Sequence, residues 1–339
     1  MPRPTSPLRH TNPEHEKTDR QLILKRRPLG RSSLTVPELC FGASRIINAS
    51  PPEATATVHA ALSAGMDHVD TAPFYGLGES ERRTGIGLAD APAPFTLSTK
   101  VGRLIRPGPD GALRSEFDYS IDGVHRSLEE SLTRLKRDHI DMAILHDVSR
   151  RWHGANTDAV FDTAIAGAYR ALLRWRDEGV VKAIGIGVND CAICLRSLTE
   201  GDFDFLMLAG RTTLLDQEGF DAVLPAAQAA GVGVIAAAPF NSGILAVGAR
   251  PGATYFSQPA PPEVLERTRR LEAICAGHGV ALRAAALQLP LRHPAISAVL
   301  AGYASVTEVH DNLTLAQQPI PAAFWEALRG EGLLAQSVP

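Results

Sequence analysis

Apolar and polar positions alternate along this chain in two registers. Short continuous apolar runs recur at Leu39–Phe41, His68–Asp70, Thr96–Lys100, Met142–His146, Ala183–Val188, Phe205–Ala209, Val232–Ala237 and Ala298–Ala301. Between and after them lie longer segments of helical period, at Pro52–Ala64, Ser80–Leu88, Ile121–Leu135, Tyr169–Glu178, Ala192–Leu198, Phe220–Ala230, Pro262–His278 and Val306–Gln317. In the third of these, Val124, Leu128, Leu132 and Leu135 fall on one face. The apolar runs, such as Ala143-Ile144-Leu145-His146, lack the period-2 alternation of a half-wet antiparallel sheet. They therefore read as parallel strands buried on both faces.

Local chemistry supports these boundaries. Pro51-Pro52 opens the first helix with a proline in its first turn, and Gly65, Gly179 and Gly231 sit where left-handed caps are wanted. Eight strand–helix units between residues 39 and 317 predict one α/β domain, a (β/α)₈ TIM barrel, whose typical size is ~250 residues. Leu29–Thr35 reads as an N-terminal hairpin plugging the barrel bottom. Residues 21–318 are thus assigned to the barrel, 1–20 to a Pro-rich disordered leader, and 319–339 to a C-terminal tail with a short helix. Segments 147–168 and 238–261 are the longest without regular period. Both are expected on the carboxyl-end rim, as functional loops.

Composition narrows the partners. Thirty-four Lys and Arg against 37 Asp and Glu leave a net charge of −3, with no basic face for nucleic acid. A small-molecule partner is expected instead. The leader has no apolar signal-peptide core, and Leu224–Phe240, the nearest approach to a membrane span, is interrupted by Gln228 and two prolines. With only four cysteines the expected compartment is the cytoplasm. Cys191 and Cys194 have C-x-x-C spacing but lack further ligands nearby, so they read as small apolar helix residues, and no metal site is expected. The string Gly185-Ile186-Gly187-Val188-Asn189-Asp190 lacks the third glycine of a dinucleotide fingerprint.

Barrel sites lie at the carboxyl ends of strands, so the ionisable groups there carry the chemistry. Asp70, Lys100 and His146 end the second, third and fourth strands, and Tyr75 lies five residues past Asp70. A free phenol, with a pKa of about 10, takes protons poorly at neutral pH. An ammonium beside it favours phenolate, and a carboxylate fixes that ammonium. Tyr75, Lys100 and Asp70 can thus form an acid/base relay, with His146 bonding the reacting oxygen. That suits proton transfer coupled to hydride transfer at a carbonyl or alcohol carbon.

Asp70-Thr71-Ala72-Pro73-Phe74-Tyr75-Gly76 with Gly78-Glu79-Ser80-Glu81, Ser98-Thr99-Lys100 and Leu145-His146-Asp147 make the chain resemble an aldo-keto reductase from about Leu29 to Leu315. The resemblance implies Asp70, Tyr75, Lys100 and His146 as the catalytic tetrad. Ala209-Gly210-Arg211 with Thr212–Gln217, and Ala237–Leu245, are similar to the branch of aldose 1-dehydrogenases and pyridoxal dehydrogenases. That implies oxidation of an L-fucose-, L-galactose- or D-arabinose-type sugar at C1 to its lactone. Pyridoxal or another aldehyde or ketone is the alternative substrate, and a non-catalytic nicotinamide-binding regulatory subunit is a rival of another class. Val188-Asn189 stands where many members have Ser-Asn. Ala209 and Ala237 replace a frequent Gln and a frequent stacking aromatic.

The resemblance also implies a nicotinamide cofactor held by Asn189, by the loop of Pro239, Phe240, Asn241, Gly243 and Leu245, and by Gly302, Ser305, Glu308 and Asn312. No Lys or Arg occurs between His293 and Leu328, and Glu308 falls near the position of an expected phosphate-binding arginine. A carboxylate repels a 2′-phosphate, so NAD is expected over NADP, with Arg250 as a cation outside that segment. Phe74, Asp147, Arg151, Trp152 and Arg211 are the expected substrate wall.

Overall fold

The structure, a computed structural model, describes residues 24–339, so the leader assignment lies outside the described residues. Eight strands close into an all-parallel barrel: β1 (Leu39–Gly42), β2 (His68–Asp70), β3 (Thr96–Val101), β4 (Met142–His146), β5 (Ala183–Val188), β6 (Phe205–Ala209), β7 (Gly233–Ala237) and β8 (Ile296–Gly302). They are neighbours in chain order, and β8 pairs with β1 to close the ring. The expected (β/α)₈ barrel is therefore what the chain forms.

Strands buried on both faces require two cores. Inside the ring pack Cys40, Met142, Ile144, Phe205, Met207 and Ile235, sealed below by Leu29 and Val36. These last two belong to the hairpin Arg26–Pro28 and Thr35–Pro37, whose turn is Leu29–Leu34. Outside the ring, Val69, Leu97, Leu145, Ile184 and Leu206 meet the helices. The helix Ile121–Leu135 presents Val124, Leu128 and Leu135 inward and is capped by Ser120 Oγ, which accepts from the Gly123 amide.

Several elements differ from the sequence reading, for identifiable reasons. The expected helix Phe220–Ala230 is two pieces, Glu218–Asp221 and Val223–Ala230. Pro225 has no N–H for the Asp221 carbonyl, so it is accommodated only in the first turn of a new helix. Segment 147–168 is largely helical, with turns at Arg150–His153 and Thr157–Ala166. Segment 238–261 carries a short helix, Ile244–Val247, and a two-residue-per-strand hairpin, Thr254–Tyr255 with Gln258–Pro259. An unexpected hairpin, Arg103–Pro107 with Leu113–Phe117, follows β3. Its signal was present in Pro107-Gly108-Pro109-Asp110-Gly111, a strong turn sequence. Ala322–Gly330 is a nine-residue helix. No helix among the described residues is long and apolar enough to cross a membrane.

Candidate active site

Barrel closure turns four distant residues into neighbours. Asp70 at the end of β2 and Lys100 at the end of β3 are both buried, and Lys100 Nζ donates to Asp70 Oδ2 at 2.5 Å and to the Thr71 carbonyl at 2.9 Å. Ser98, one strand-repeat before Lys100, donates to Asp70 Oδ1 at 2.8 Å. The carboxylate is thus held from two sides. Tyr75 sits above the pair, with Lys100 Nζ 4.7 Å from its ring centre, and meets the His146 ring edge-on at 6.1 Å.

The signature following Asp70 is mostly scaffolding for this arrangement. Thr71 Oγ1 bonds Ser80 Oγ, which donates to the Ala43 carbonyl at 2.8 Å. Fully buried Glu81 accepts from Thr99 Oγ1 and from Arg134 Nε, tying the helix Glu79–Ala89 to β3 and to the next helix. The loop that carries Tyr75 is therefore pinned at both ends, which limits how far the phenol can drift.

Burial dominates the protonation of the site. The Tyr75 hydroxyl is pushed above its ordinary value of 10.0 by burial, with Asp70 adding to the shift and Lys100 opposing it. The expected phenolate-favouring effect of Lys100 is present, yet it loses to the removal of water; Tyr75 rests as a phenol. Lys100 is pulled down by burial, but Asp70 and Tyr75 together leave it above its ordinary 10.5. His146 is lowered to about 3 by burial, so its imidazole is neutral at physiological pH. Its Nε2 lies 3.4 Å from Asp147 Oδ2, and its carbonyl accepts from Tyr119 Oη at 2.8 Å.

These groups open into a cleft of ≈ 260 Å³, lined by Phe74, Tyr75, Lys100, His146, Asp147, Arg151, Trp152 and Asn189, with Met207, Ala209 and Ser257 opposite. Phe74 and Trp152 pack edge-on at 5.4 Å as one wall. Arg211 departs from its expected place on that wall. Its guanidinium donates to the Asn189 carbonyl and Asp216 at 2.9 and 2.8 Å and lies over the Phe256 ring. These partners draw it into an adjoining outer recess of ≈ 780 Å³, shared by Arg151, Trp152 and Asn189.

The residues expected around a dinucleotide follow the carboxyl ends of β5, β7 and β8. The amides of Asn241, Gly243 and Leu245 donate within their own loop, to Ala238, Phe240 and Phe240 carbonyls. These three amides are therefore already engaged. Asn241 is buried and donates to the Gly210 carbonyl, while its Oδ1 has no partner and Leu245 packs in the core. Pro239 is buried and Phe240 packs partly against the core. After the neighbouring strand β8, Ser305 caps the helix Val306–Gln317 and Asn312 accepts from Arg283. Gly302 allows β8 to pass within van der Waals reach of Ser44 and Arg45, where a Cβ would stand 3.1 Å from Ser44 Oγ. Glu308 accepts from the Ala304 amide and pairs with Arg45 at 3.0 Å. A buried orphan acceptor after β7 and a helix N-terminus after the neighbouring β8 fit a dinucleotide. When bound, that group accepts or donates hydride.

Two functional neighbours escaped the sequence reading. Arg45 comes from the turn after β1, reaching Glu308 only because β1 and β8 close the ring. Arg103 follows Lys100 by three residues, and no pattern marks it as anything but a surface cation. It is in fact 2% exposed.

A closed barrel whose carboxyl rim holds a phenol, an ammonium–carboxylate pair and a neutral imidazole defines a class: barrel oxidoreductases that move a proton at a carbonyl or alcohol oxygen. The chain belongs to the Aldo/keto reductase family, whose model matches residues 38–330, and it is an oxidoreductase. It is 39% identical over 337 residues to pyridoxal 4-dehydrogenase of Microbacterium luteolum, covering 92% of this chain and 98% of that one. It is also 39% identical to D-threo-aldose 1-dehydrogenase of a Pseudomonas species, covering 88% and 94%. The structure is similar to the holo form of an aldo-keto reductase from Bacillus halodurans, with a TM-score of 0.75, 25% identity and 94% and 98% coverage. Members of the family use nicotinamide cofactors.

Proposed function

We propose that this protein is an NAD-dependent dehydrogenase that oxidises an aldose at C1 to its lactone, with Tyr75 as the acid/base. The observation that carries the reading is the buried Lys100–Asp70 pair beneath the Tyr75 ring, next to an open carboxylate and an aromatic wall. Tyr75, deprotonated, takes the anomeric hydroxyl proton; Lys100 stabilises the phenolate, Asp70 fixes Lys100, and His146 donates to the sugar oxygen. Asp147, Arg151, Trp152 and Phe74 line the sugar. The aldose dehydrogenase relative supports this substrate class. The equal likeness to a pyridoxal 4-dehydrogenase, with the Phe74–Trp152 wall suited to a flat ring, supports pyridoxal as second reading. Initial rates with L-fucose, L-galactose, D-arabinose and pyridoxal, each with NAD and NADP, decide between them. Failure to turn over any of the four would overturn both.

Because Tyr75 rests as a phenol, oxidation needs its minor, deprotonated form. The rate of aldose oxidation is expected to rise with pH across the neutral and alkaline range. His146, at about 3, should add no inflection near neutrality. A bell centred near pH 7 would contradict this assignment.

Glu308 engages both Arg45 and the Ala304 amide, so the cation that faces Glu308 at the corner expected to hold the adenosine ribose is already paired with a carboxylate. This supports NAD. Glu308→Ala frees Arg45 and is expected to lower the NADP KM relative to that for NAD by roughly 10-fold. An unchanged ratio of the two KM values would remove Glu308 from cofactor selection.

A further inference from the structure

Arg103 is an unusual group to find under a reaction cleft. Gly102, at φ +94°, bends the chain after β3 and lies so close to the Tyr119 ring that a Cβ would stand 2.7 Å from it. The next side chain, Arg103, is buried. Its guanidinium carbon lies 3.5 Å from the Phe74 ring centre, 4.3 Å from Trp152 and 4.6 Å from Phe117. One arm donates to Asp147 Oδ2 at 2.5 Å and the other to Ser115 Oγ at 2.7 Å. A charge this deeply withdrawn from water is retained only where its partners are held in fixed geometry.

Asp147 is the partner that matters. It has a left-handed backbone, φ +60°, an uncommon conformation for a residue with a side chain. Oδ2 takes the Arg103 bond and also faces His146 Nε2 at 3.4 Å, while the residue itself lines the cleft. The second oxygen, Oδ1, makes no hydrogen bond to a described residue and is left for the cleft. An oxygen beside His146 is where the reacting oxygen of a substrate sits, and a hydroxyl on the neighbouring carbon lies at hydrogen-bonding separation from that oxygen.

We propose that Arg103 is a positioning residue for substrate selectivity: it clamps Asp147 beside His146 so that Oδ1 accepts a hydroxyl on the carbon adjacent to the reacting one. The inference rests on the dehydrogenase reading of the same cleft. The site then selects α-hydroxy aldehydes and their cyclic sugars over simple aldehydes. Phe74 and Trp152, stacked on the same guanidinium, share the clamp, so the wall and the acceptor are set by one side chain.

The test is reduction of glyceraldehyde and of propanal, which differ in having or lacking the adjacent hydroxyl, with NADH and NADPH. The wild-type enzyme is expected to favour glyceraldehyde in kcat/KM. Arg103→Met should lower the glyceraldehyde-to-propanal ratio about 10- to 100-fold, chiefly through the glyceraldehyde KM, as expected for one charged hydrogen bond lost. Arg103→Lys, which can hold Asp147 but not Ser115 as well, should recover part of the ratio. Asp147→Asn, which removes the acceptor charge without emptying the aromatic box, should lower the ratio as Arg103→Met does, and it decides the matter if Arg103→Met does not fold. A purely structural role for Arg103 lowers both substrates together and leaves the ratio intact, which overturns the proposal. Equal use of both aldehydes by the wild-type enzyme also overturns it, while leaving the dehydrogenase reading standing. No turnover of either aldehyde or of any aldose ends both.

Discussion

Tyr75→Phe is expected to reduce turnover by about 10²- to 10⁴-fold while leaving cofactor affinity close to wild type. In the proposed mechanism the Tyr75 hydroxyl, above the Lys100–Asp70 pair, changes protonation at the bound oxygen. On the proposed mechanism, removing it deletes the proton acceptor and leaves the ring, with its edge-on contact to His146, in place. His146 cannot substitute, because burial keeps it neutral with a basicity far below that of a free imidazole. Single-turnover rates together with cofactor titration by fluorescence separate the two effects. Turnover within a few fold of wild type would remove Tyr75 from the proton path.

Lys100→Met is expected to be nearly as damaging to activity and also to lower stability by about 3–5 kcal/mol. Both partners of the ion pair are buried, at 2% and 1% exposure, so the variant strands the Asp70 carboxylate without its cation. Among the described residues, only Ser98 then still donates to it. Adding Asp70→Asn to Lys100→Met should recover part of the lost stability, since no uncompensated charge then remains. Activity should not return. The wild-type pair also predicts a pH window. Lys100 has its folded-state pKa raised above the unfolded 10.5, so its contribution is fully present below 10.5 and disappears as pH rises through the folded value. Denaturant titrations at neutral and strongly alkaline pH should show this loss in the wild type and not in Lys100→Met.

Asp70, Lys100 and His146 were legible because each ends an apolar run, and strand ends share one rim of a parallel barrel. Their burial has a consequence that spacing does not reveal: water is removed from Tyr75 more effectively than Lys100 compensates. Arg211 illustrates the opposite case. Its position on the rim was legible, but Asp216, Glu218 and the Asn189 carbonyl decide which way the side chain points. No Lys or Arg lies between His293 and Leu328 along the chain, yet Arg45 reaches Glu308 in space from the turn after the neighbouring strand β1.

What the amino-acid order determined by itself is periodic: eight apolar runs, their alternation with helical segments, and hence one closed parallel sheet with its chemistry on the carboxyl rim. These follow from local preferences and from the burial of continuous apolar faces. Tertiary structure decided what depends on separation in space. Closing β8 onto β1 set Arg45 against Glu308, and the bend at Gly102 put Arg103 against Phe74 and Trp152. Charge pairing and desolvation act over a few ångströms whatever the distance along the chain, so neither is written in any local pattern.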